Sequence, residues 1–294
     1  MKTSSNIIAF CILFFYTHEV HAELFPYDSK NTVIGSVAIY KVKPGESLIE
    51  IARKFDLGYN EISDANPGLD PFVPGTGAEV TVPTSWIVPD AGPSEEIVIN
   101  LGELRLYYFS KVGTRRFVQP FPIGIGSEGN DTPLGGFKII EKIVRPAWHV
   151  PESIKKEKPW LPDVVPPGPD NPLGSHAMRL SLPTILIHGT NKPWALGRRA
   201  THGCIRLYPE DIPRLFKSAS KNTKVTIIMQ PVKVGVRNGR VYVEVHQADT
   251  GEEIDYFAEA ELMLRQKGLV GLVSTEKLHY AVEERLGIPV DITE

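Results

Sequence analysis

Two histidines and a thiol fall within one short span of this chain. His188-Gly189-Thr190 is followed, after ten residues, by Thr201-His202-Gly203-Cys204-Ile205-Arg206. Only a thiolate is a strong nucleophile, and a neighbouring histidine is the usual means of holding it in that form. Gly203 removes a Cβ from the approach to the sulfur and leaves its backbone N–H accessible, as an oxyanion of acyl transfer requires. If Thr201 to Arg206 is extended, the period of two puts His202, Cys204 and Arg206 on one face. An arginine there favours the thiolate and suits a substrate carboxylate. Two other readings use the same residues. One is a structural buried thiol. The other is a metal site of His188, His202 and Cys204 with His176 or His149, although no H-x-x-x-H pair or C-x-x-C knuckle supports it.

The other cysteine, Cys11, lies in an apolar run from Ile7 to Tyr16 that follows Met1-Lys2 and precedes Val20-His21-Ala22. The run is too short to span a bilayer and reads as a signal peptide over residues 1–22. Cys11 sits inside that run rather than at a cleavage site, which argues against a lipoprotein. Cleavage leaves Cys204 unpaired in a compartment where thiols usually pair.

The composition, 42% hydrophobic and 23% charged with net charge −3, is that of an ordinary globular protein. No basic cluster points to nucleic acid, and no second apolar stretch reaches membrane-spanning length. With 25 proline and 25 glycine residues, short strands and loops are favoured over long helices.

The elements that must position the thiol follow from this punctuation. Residues 23–37 read as an extended leader. In 38–83 the order is strand, helix, helix, strand. Ser47 and Glu50 form a capping box before Leu48, Ile51, Ala52 and Phe55, and Asn60 caps a second short helix. Residues 84–96 read as a linker. From Ile97 to Gln230 several short strands predict a mainly β domain, with a hairpin through Leu101-Gly102-Glu103. The Thr184–Ile187 strand delivers His188 at its end. A helix is predicted over Pro213–Ser218, with Pro213 at its first position. The proline-rich stretch 151–172 reads as a long mobile loop. Residues 231–294 form an α+β extension that packs on the β domain, with a hairpin at Asn238-Gly239 and helices over 258–267 and 275–286. Gly124-Ile125-Gly126-Ser127-Glu128-Gly129 matches a dinucleotide fingerprint, but Asn130, Asp131, Pro133, Gly135 and Gly136 cannot open the helix that motif needs. A loop between strands is the better reading.

Residues 38–83 resemble a LysM module through Tyr40-Lys41-Val42, Pro44-Gly45-Glu46-Ser47-Leu48, Ile51-Ala52, Phe55, Asn66-Pro67 and Val80-Thr81-Val82-Pro83. The resemblance implies binding to N-acetylglucosamine-containing glycan. Ile187-His188-Gly189-Thr190, Gly197 and Thr201 to Leu207 resemble the signature of the YkuD-type L,D-transpeptidase family. So do Gly124-Ile125-Gly126, Asp131-Thr132-Pro133-Leu134-Gly135 and Asn171-Pro172-Leu173-Gly174 upstream. Thr201 stands where that family usually has serine. The chain looks like the LysM-bearing, periplasmic branch of Gram-negative bacteria.

That resemblance implies a β-sandwich-like catalytic domain over 97–230, acting on peptidoglycan stem peptides without cofactor or metal. Cys204 would attack the diaminopimelate–D-alanine bond of a tetrapeptide stem, expelling D-alanine, and an amine would take the acyl group. His188 would be the base, its tautomer held by the Gly189 carbonyl. His202 and Gly203 would support the oxyanion, and Arg206, Thr190 and Thr201 would meet substrate. The 151–172 segment would be a lid that excludes water. The acceptor is open between a second stem, a lysine of an outer-membrane lipoprotein, and water. A carbapenem is expected to acylate Cys204. A zinc peptidase is the competing enzyme class.

Overall fold

Short apolar runs broken by glycine and proline fold into one large curled sheet. The computed structural model describes residues 23–90, 96–248 and 253–294; the expected signal peptide and part of the expected linker lie outside them. Nine strands run in the order Phe25–Tyr27, Arg115–Pro122, Arg105–Val112, Ile97–Asn100, Lys224–Ile228, Gly135–Val144, His176–Leu180, Leu186–His188 and Ile205–Arg206. Two neighbouring pairs are parallel, Ile97–Asn100 with Lys224–Ile228 and Leu186–His188 with Ile205–Arg206.

The Gly135–Val144 strand joins the two halves of this sheet. Its first residues pair with Lys224–Ile228, and after an irregularity between Ile139 and Glu141 the rest pair with His176–Leu180. A bulge bends and twists a strand, so the two lobes close over one core. Ile99, Leu106 and Phe121 meet Met178, Leu180, Ile187 and Ile205 there, capped by Ile212 and Leu215. Those last two belong to the Ile212–Ser218 helix, in which Pro213 takes the second position rather than the first. The architecture is mainly β. Among the described residues the longest of six α-helices has twelve residues.

The smaller unit is strand, helix, helix, strand, with Ala38–Lys41 paired to Glu79–Val82. Its capping box is present, Ser47 N–H donating to Glu50 Oε2 at 2.8 Å and Glu50 N–H to Ser47 Oγ at 3.3 Å. The second helix, Tyr59–Asp64, is capped otherwise than expected. Glu61 accepts from Gly58 N–H at 2.7 Å, and Asn60 donates to Glu103 O at 3.0 Å.

Two stretches expected to be unstructured are strands. In the expected leader, Phe25–Tyr27 forms the sheet edge and Val33–Gly35 pairs with Ser85–Ile87 of the expected linker. Trp86 and Ile87 are buried, and three apolar residues between prolines are too short to announce a strand by periodicity. Residues 151–172 also hold more structure than a loop. They carry a helix, Glu152–Glu157, and Val164–Val165 paired with Trp148–His149.

Buried charges tie the parts together. Arg105 of the large sheet pairs with Glu61 of the small unit at 2.6 Å, the side chains 1% and 2% exposed. Trp86 Nε1 donates to the same carboxylate at 3.0 Å. On the other side the Val232–Arg237 and Arg240–Val245 hairpin inserts Lys233 between Glu103, at 2.7 Å, and Glu244, at 2.9 Å. Burying such ions costs several kcal/mol each unless every partner is in place. These junctions are therefore specific in geometry.

Candidate active site

The site is built on the outer face of the sheet's last two strands. The parallel register sets Ile187 beside Ile205 and His188 beside Arg206. Ile187 and Ile205 point into the core, so alternation turns His188 and Arg206 to the opposite face. Cys204, one residue before Ile205, falls beside Leu186 on that same face. Burial alternates through the segment as the period of two requires: Thr201, Gly203 and Ile205 are buried, while His202, Cys204 and Arg206 are half-buried. The backbone is nevertheless not one extended strand. Gly203 has φ +91°, a left-handed conformation that favours glycine. Its Cβ would also press on Ile185 Cδ1 at 3.1 Å. Conformation, beyond open space at the sulfur, is what selects glycine here.

A second layer holds this turn. Thr132 Oγ1 accepts from Gly126 N–H at 3.0 Å and donates to Gly203 O at 3.0 Å. Thr201 Oγ1 donates to Cys204 O at 2.7 Å. Ser127 N–H and Oγ–H both donate to Thr201 O, at 2.9 and 3.1 Å. The glycine-rich run is thus a support. Ile125–Gly126 is a short strand parallel to Arg199–Thr201, and a Cβ on Gly126 would collide with Asn130 O. No helix starts there.

His188 is buried, with Nδ1 2.6 Å from Gly189 O. A carbonyl only accepts, so Nδ1 carries the proton and Nε2 of the neutral ring is a free base. Burial draws the His188 pKa down to about 3; the Arg206 charge adds to this, and the Gly189 carbonyl opposes it. Burial pushes the Cys204 thiol up, against a Leu186 backbone hydrogen bond and the Arg206 and Arg179 guanidiniums. Sequence reasoning expected a histidine and an arginine to keep a standing thiolate. In the folded protein burial outweighs the Arg206 and Arg179 charges at the Cys204 thiol, and burial also favours the neutral form of the His188 ring.

The remaining expected residues fall in several places. Arg206 donates through Nη1 to Ala200 O at 3.3 Å, and its buried Nε has no protein partner among the described residues. His202 turns its Nε2 toward Glu157 of the 151–172 segment at 3.4 Å. Gly189 packs against Ile212 and Gly174, where a Cβ would lie 3.0 and 3.5 Å away. Thr201 was expected to meet substrate; it is 2% exposed and its hydroxyl is spent on Cys204 O, which makes it a support. Thr190 is buried and accepts from Lys192 N–H at 2.9 Å.

The metal grouping does not assemble. Among the described residues only Glu103, Glu244 and His246 bring three ligand atoms together, and the Lys233 ammonium already bridges those carboxylates. Sequence reasoning gave no role to Thr132 and did not single out Arg179. Arg179 lies opposite Leu186 and donates to Glu141 Oε2 at 2.8 Å and to Pro183 O at 2.9 Å. Period-two counting from His176 to Leu180 would have found it.

Residues 94–227 match the model of the L,D-transpeptidase catalytic domain, and residues 40–75 match that of the LysM domain. Probable L,D-transpeptidase YcfS of Escherichia coli is 39% identical over 84% of this chain and 81% of its own length. Probable L,D-transpeptidase ErfK/SrfK of Salmonella typhimurium is 35% identical over 84% of this chain and 83% of its own. Its Escherichia coli namesake is 31% identical over 98% and 96%. At this identity over most of the length of these relatives, the chain belongs to the L,D-transpeptidase family and carries a LysM domain ahead of its catalytic domain.

Proposed function

We propose that the protein is a peptidoglycan L,D-transpeptidase with Cys204 as nucleophile and His188 as base. His188 Nε2 takes the thiol proton as sulfur attacks the diaminopimelate carbonyl of a tetrapeptide stem. The C–N bond breaks, the proton passes to the leaving nitrogen, and D-alanine departs from a thioester. An incoming amine then gives its proton to His188, attacks the thioester and restores the thiol. Backbone groups around His202, Gly203 and Cys204 receive the oxyanion, and the charge of Arg206 favours it. The 151–172 segment, which reaches His202 through Glu157, would serve as a cover that limits hydrolysis.

The observation that supports this reading is the parallel register of the two strands, which sets His188 and Cys204 on one face. A neutral pair suits it, since proton transfer then accompanies attack and no ion pair must be broken first. The LysM domain would hold the glycan, and the expected signal peptide would deliver the chain to the periplasm. No helix among the described residues is long and apolar enough to cross a membrane. The acceptor is an amine, either of a stem diaminopimelate or of a lipoprotein lysine, with water as the competing outcome.

Intact-mass measurement of the protein with a disaccharide tetrapeptide tests the mechanism. The wild type gains the acyl mass and releases D-alanine, Cys204→Ala does neither, and His188→Ala acylates at least about a hundredfold more slowly. Release of D-alanine by Cys204→Ala would end the proposal.

A further inference from the structure

The Gly135–Val144 strand ends at a corner that the chemistry above does not use. Arg145, the next residue, has φ +52°, a left-handed conformation that costs about 1–2 kcal/mol for a residue with a Cβ. The corner is pinned. Arg145 N–H donates to Ser175 O at 2.8 Å, and the next carbonyl, that of Pro146, accepts from Asn171 Nδ2 at 2.9 Å. The same Asn171 amide also donates to Val165 O and Pro166 O, both at 3.1 Å. The end of the 151–172 segment is thereby folded into a wall facing Arg145. Between them is a cavity of about 310 Å³ bounded by Arg145, Pro167, Pro169, Ser175, Thr190 and Asn191.

Most polar groups of this cavity are already engaged. Asn191 Nδ2 donates to Asp170 O at 3.0 Å, Thr190 Oγ1 accepts from Lys192 N–H at 2.9 Å, and Ser175 Oγ lies 2.9 Å from His176 Nδ1. The Arg145 guanidinium is different. It is exposed and has no hydrogen-bond, ion-pair or ring partner among the described residues. A free planar fork of N–H donors at a cavity mouth is matched to a carboxylate.

The cavity also lies on the base side of the thiol. From Leu186, beside Cys204, the strand runs through His188 and Gly189 to the cavity wall at Thr190. Gly174 closes the contact, since a Cβ there would lie 2.9 Å from Thr190 N and 3.0 Å from Gly189 C. In the transpeptidase reading His188 serves the departing and arriving amines, and this cavity begins two residues beyond it along the same strand path, at Thr190.

We propose that Arg145 binds the carboxylate of the leaving D-alanine, and so selects stems that end in a free carboxylate. The proposal rests on the transpeptidase reading for its placement. In the leaving alanine the carboxylate is one carbon from the amine that His188 protonates. An acceptor of the same α-amino-acid class meets the same subsite in the second half-reaction. A lysine ε-amine carries its own carboxylate at the far end of its chain.

Calorimetric titration of the full-length Cys204→Ala protein with tetrapeptide stems ending in D-alanine or D-alaninamide tests this. The free acid should bind roughly five- to tenfold tighter. Adding Arg145→Gly, which suits the left-handed corner and preserves the fold, should erase the difference, and Arg145→Lys should restore part of it. In the active protein Arg145→Gly should raise KM for the free acid with little change in kcat, and D-alanine should lose its advantage over D-alaninamide as an exchange acceptor. If wild-type exchange favours D-alanine over a lysine ε-amine and Arg145→Gly levels the two, the subsite extends to acceptors. Equal binding of the two stems, or a preference that survives Arg145→Gly, overturns the proposal. If the binding preference holds but the wild type releases no D-alanine, the carboxylate subsite stands and the transpeptidase reading fails.

Discussion

Replacing Thr132 by valine removes the hydroxyl that supports the turn at Gly203 and Cys204 and keeps the side chain's shape. That hydroxyl bonds Gly126 N–H and Gly203 O, each at 3.0 Å, from a side chain 5% exposed. The variant leaves a buried N–H and a buried carbonyl without partners. Each such loss costs about 1–3 kcal/mol, and partial relaxation of the turn places the total near 3 kcal/mol. At about 2–4 °C per kcal/mol for a chain of this size, the melting temperature should fall by roughly 6–12 °C. The catalytic effect should exceed what unfolding explains, because Gly203 O is one peptide from Cys204, the proposed nucleophile. A displacement near 1 Å at a nucleophile costs on the order of a hundredfold. D-alanine release assayed at 25 °C, where the variant remains folded, should therefore drop by tenfold to a hundredfold. Thr132→Ser retains both hydrogen bonds and should stay within about threefold of wild type. A valine variant that melts within about 2 °C of wild type and releases D-alanine at the wild-type rate would refute the claim that this layer positions Cys204.

Two further outcomes follow from the buried charges. With His188 held neutral down to about 3 and the Cys204 thiol pushed up, D-alanine release should be flat across about pH 5–8; a falling limb near the ordinary histidine value of about 6.5 would show a solvated base. Asp56 and Asp211 face each other across the junction of the two domains, both pushed up by burial, and Asp211 further by the Asp56 charge. An acid whose folded pKa lies above its unfolded value contributes stability at low pH and loses it as pH rises toward the folded value. Asp211→Asn should therefore stabilise more at pH 8 than at pH 5, read as the difference between the two melting shifts; identical shifts would show that the pair is hydrated.

The sequence pointed to a candidate site more readily than to its frame. His188 and Cys204 announce themselves because few chemistries need an unpaired thiol near histidines. The capping box of Ser47 and Glu50 and the Asn238-Gly239 hairpin were legible because each is a local contract between neighbouring residues. Neither the Ser85–Ile87 strand nor the Phe25–Tyr27 edge strand was legible. Each is three residues long and exists only because a partner distant in sequence supplies its hydrogen bonds. The direction in which the Cys204 thiol shifts was hidden for a related reason. Sequence adjacency brings Arg206 close to the thiol, but burial belongs to the folded whole and outweighs that charge. Thr132 was hidden in a run whose glycines imitate a nucleotide motif, and its contacts appear only when the run lies beside the turn at Gly203 and Cys204.

The same long-range pairing bears on how the LysM domain meets the chemistry. Sequence reading separated it from the catalytic domain by a linker, which would leave the two free to move independently. In the fold the linker is partly a buried strand, and the LysM domain braces both flanks of the segment that carries Cys204. On the upstream flank Tyr59 N–H donates to Leu196 O at 3.1 Å, and a Cβ on Gly58 would lie 2.9 Å from Gly197 Cα. Downstream, Tyr208 donates to Leu57 O at 2.9 Å and Arg53 meets Glu210 at 2.9 Å. The buried Arg105–Glu61 pair then makes separation costly, because pulling the domains apart strands one charge on each face. The LysM domain and the turn that carries the thiol are in this way packed as one piece. The distance between them is set by packing in the core and cannot be tuned by the length of a tether.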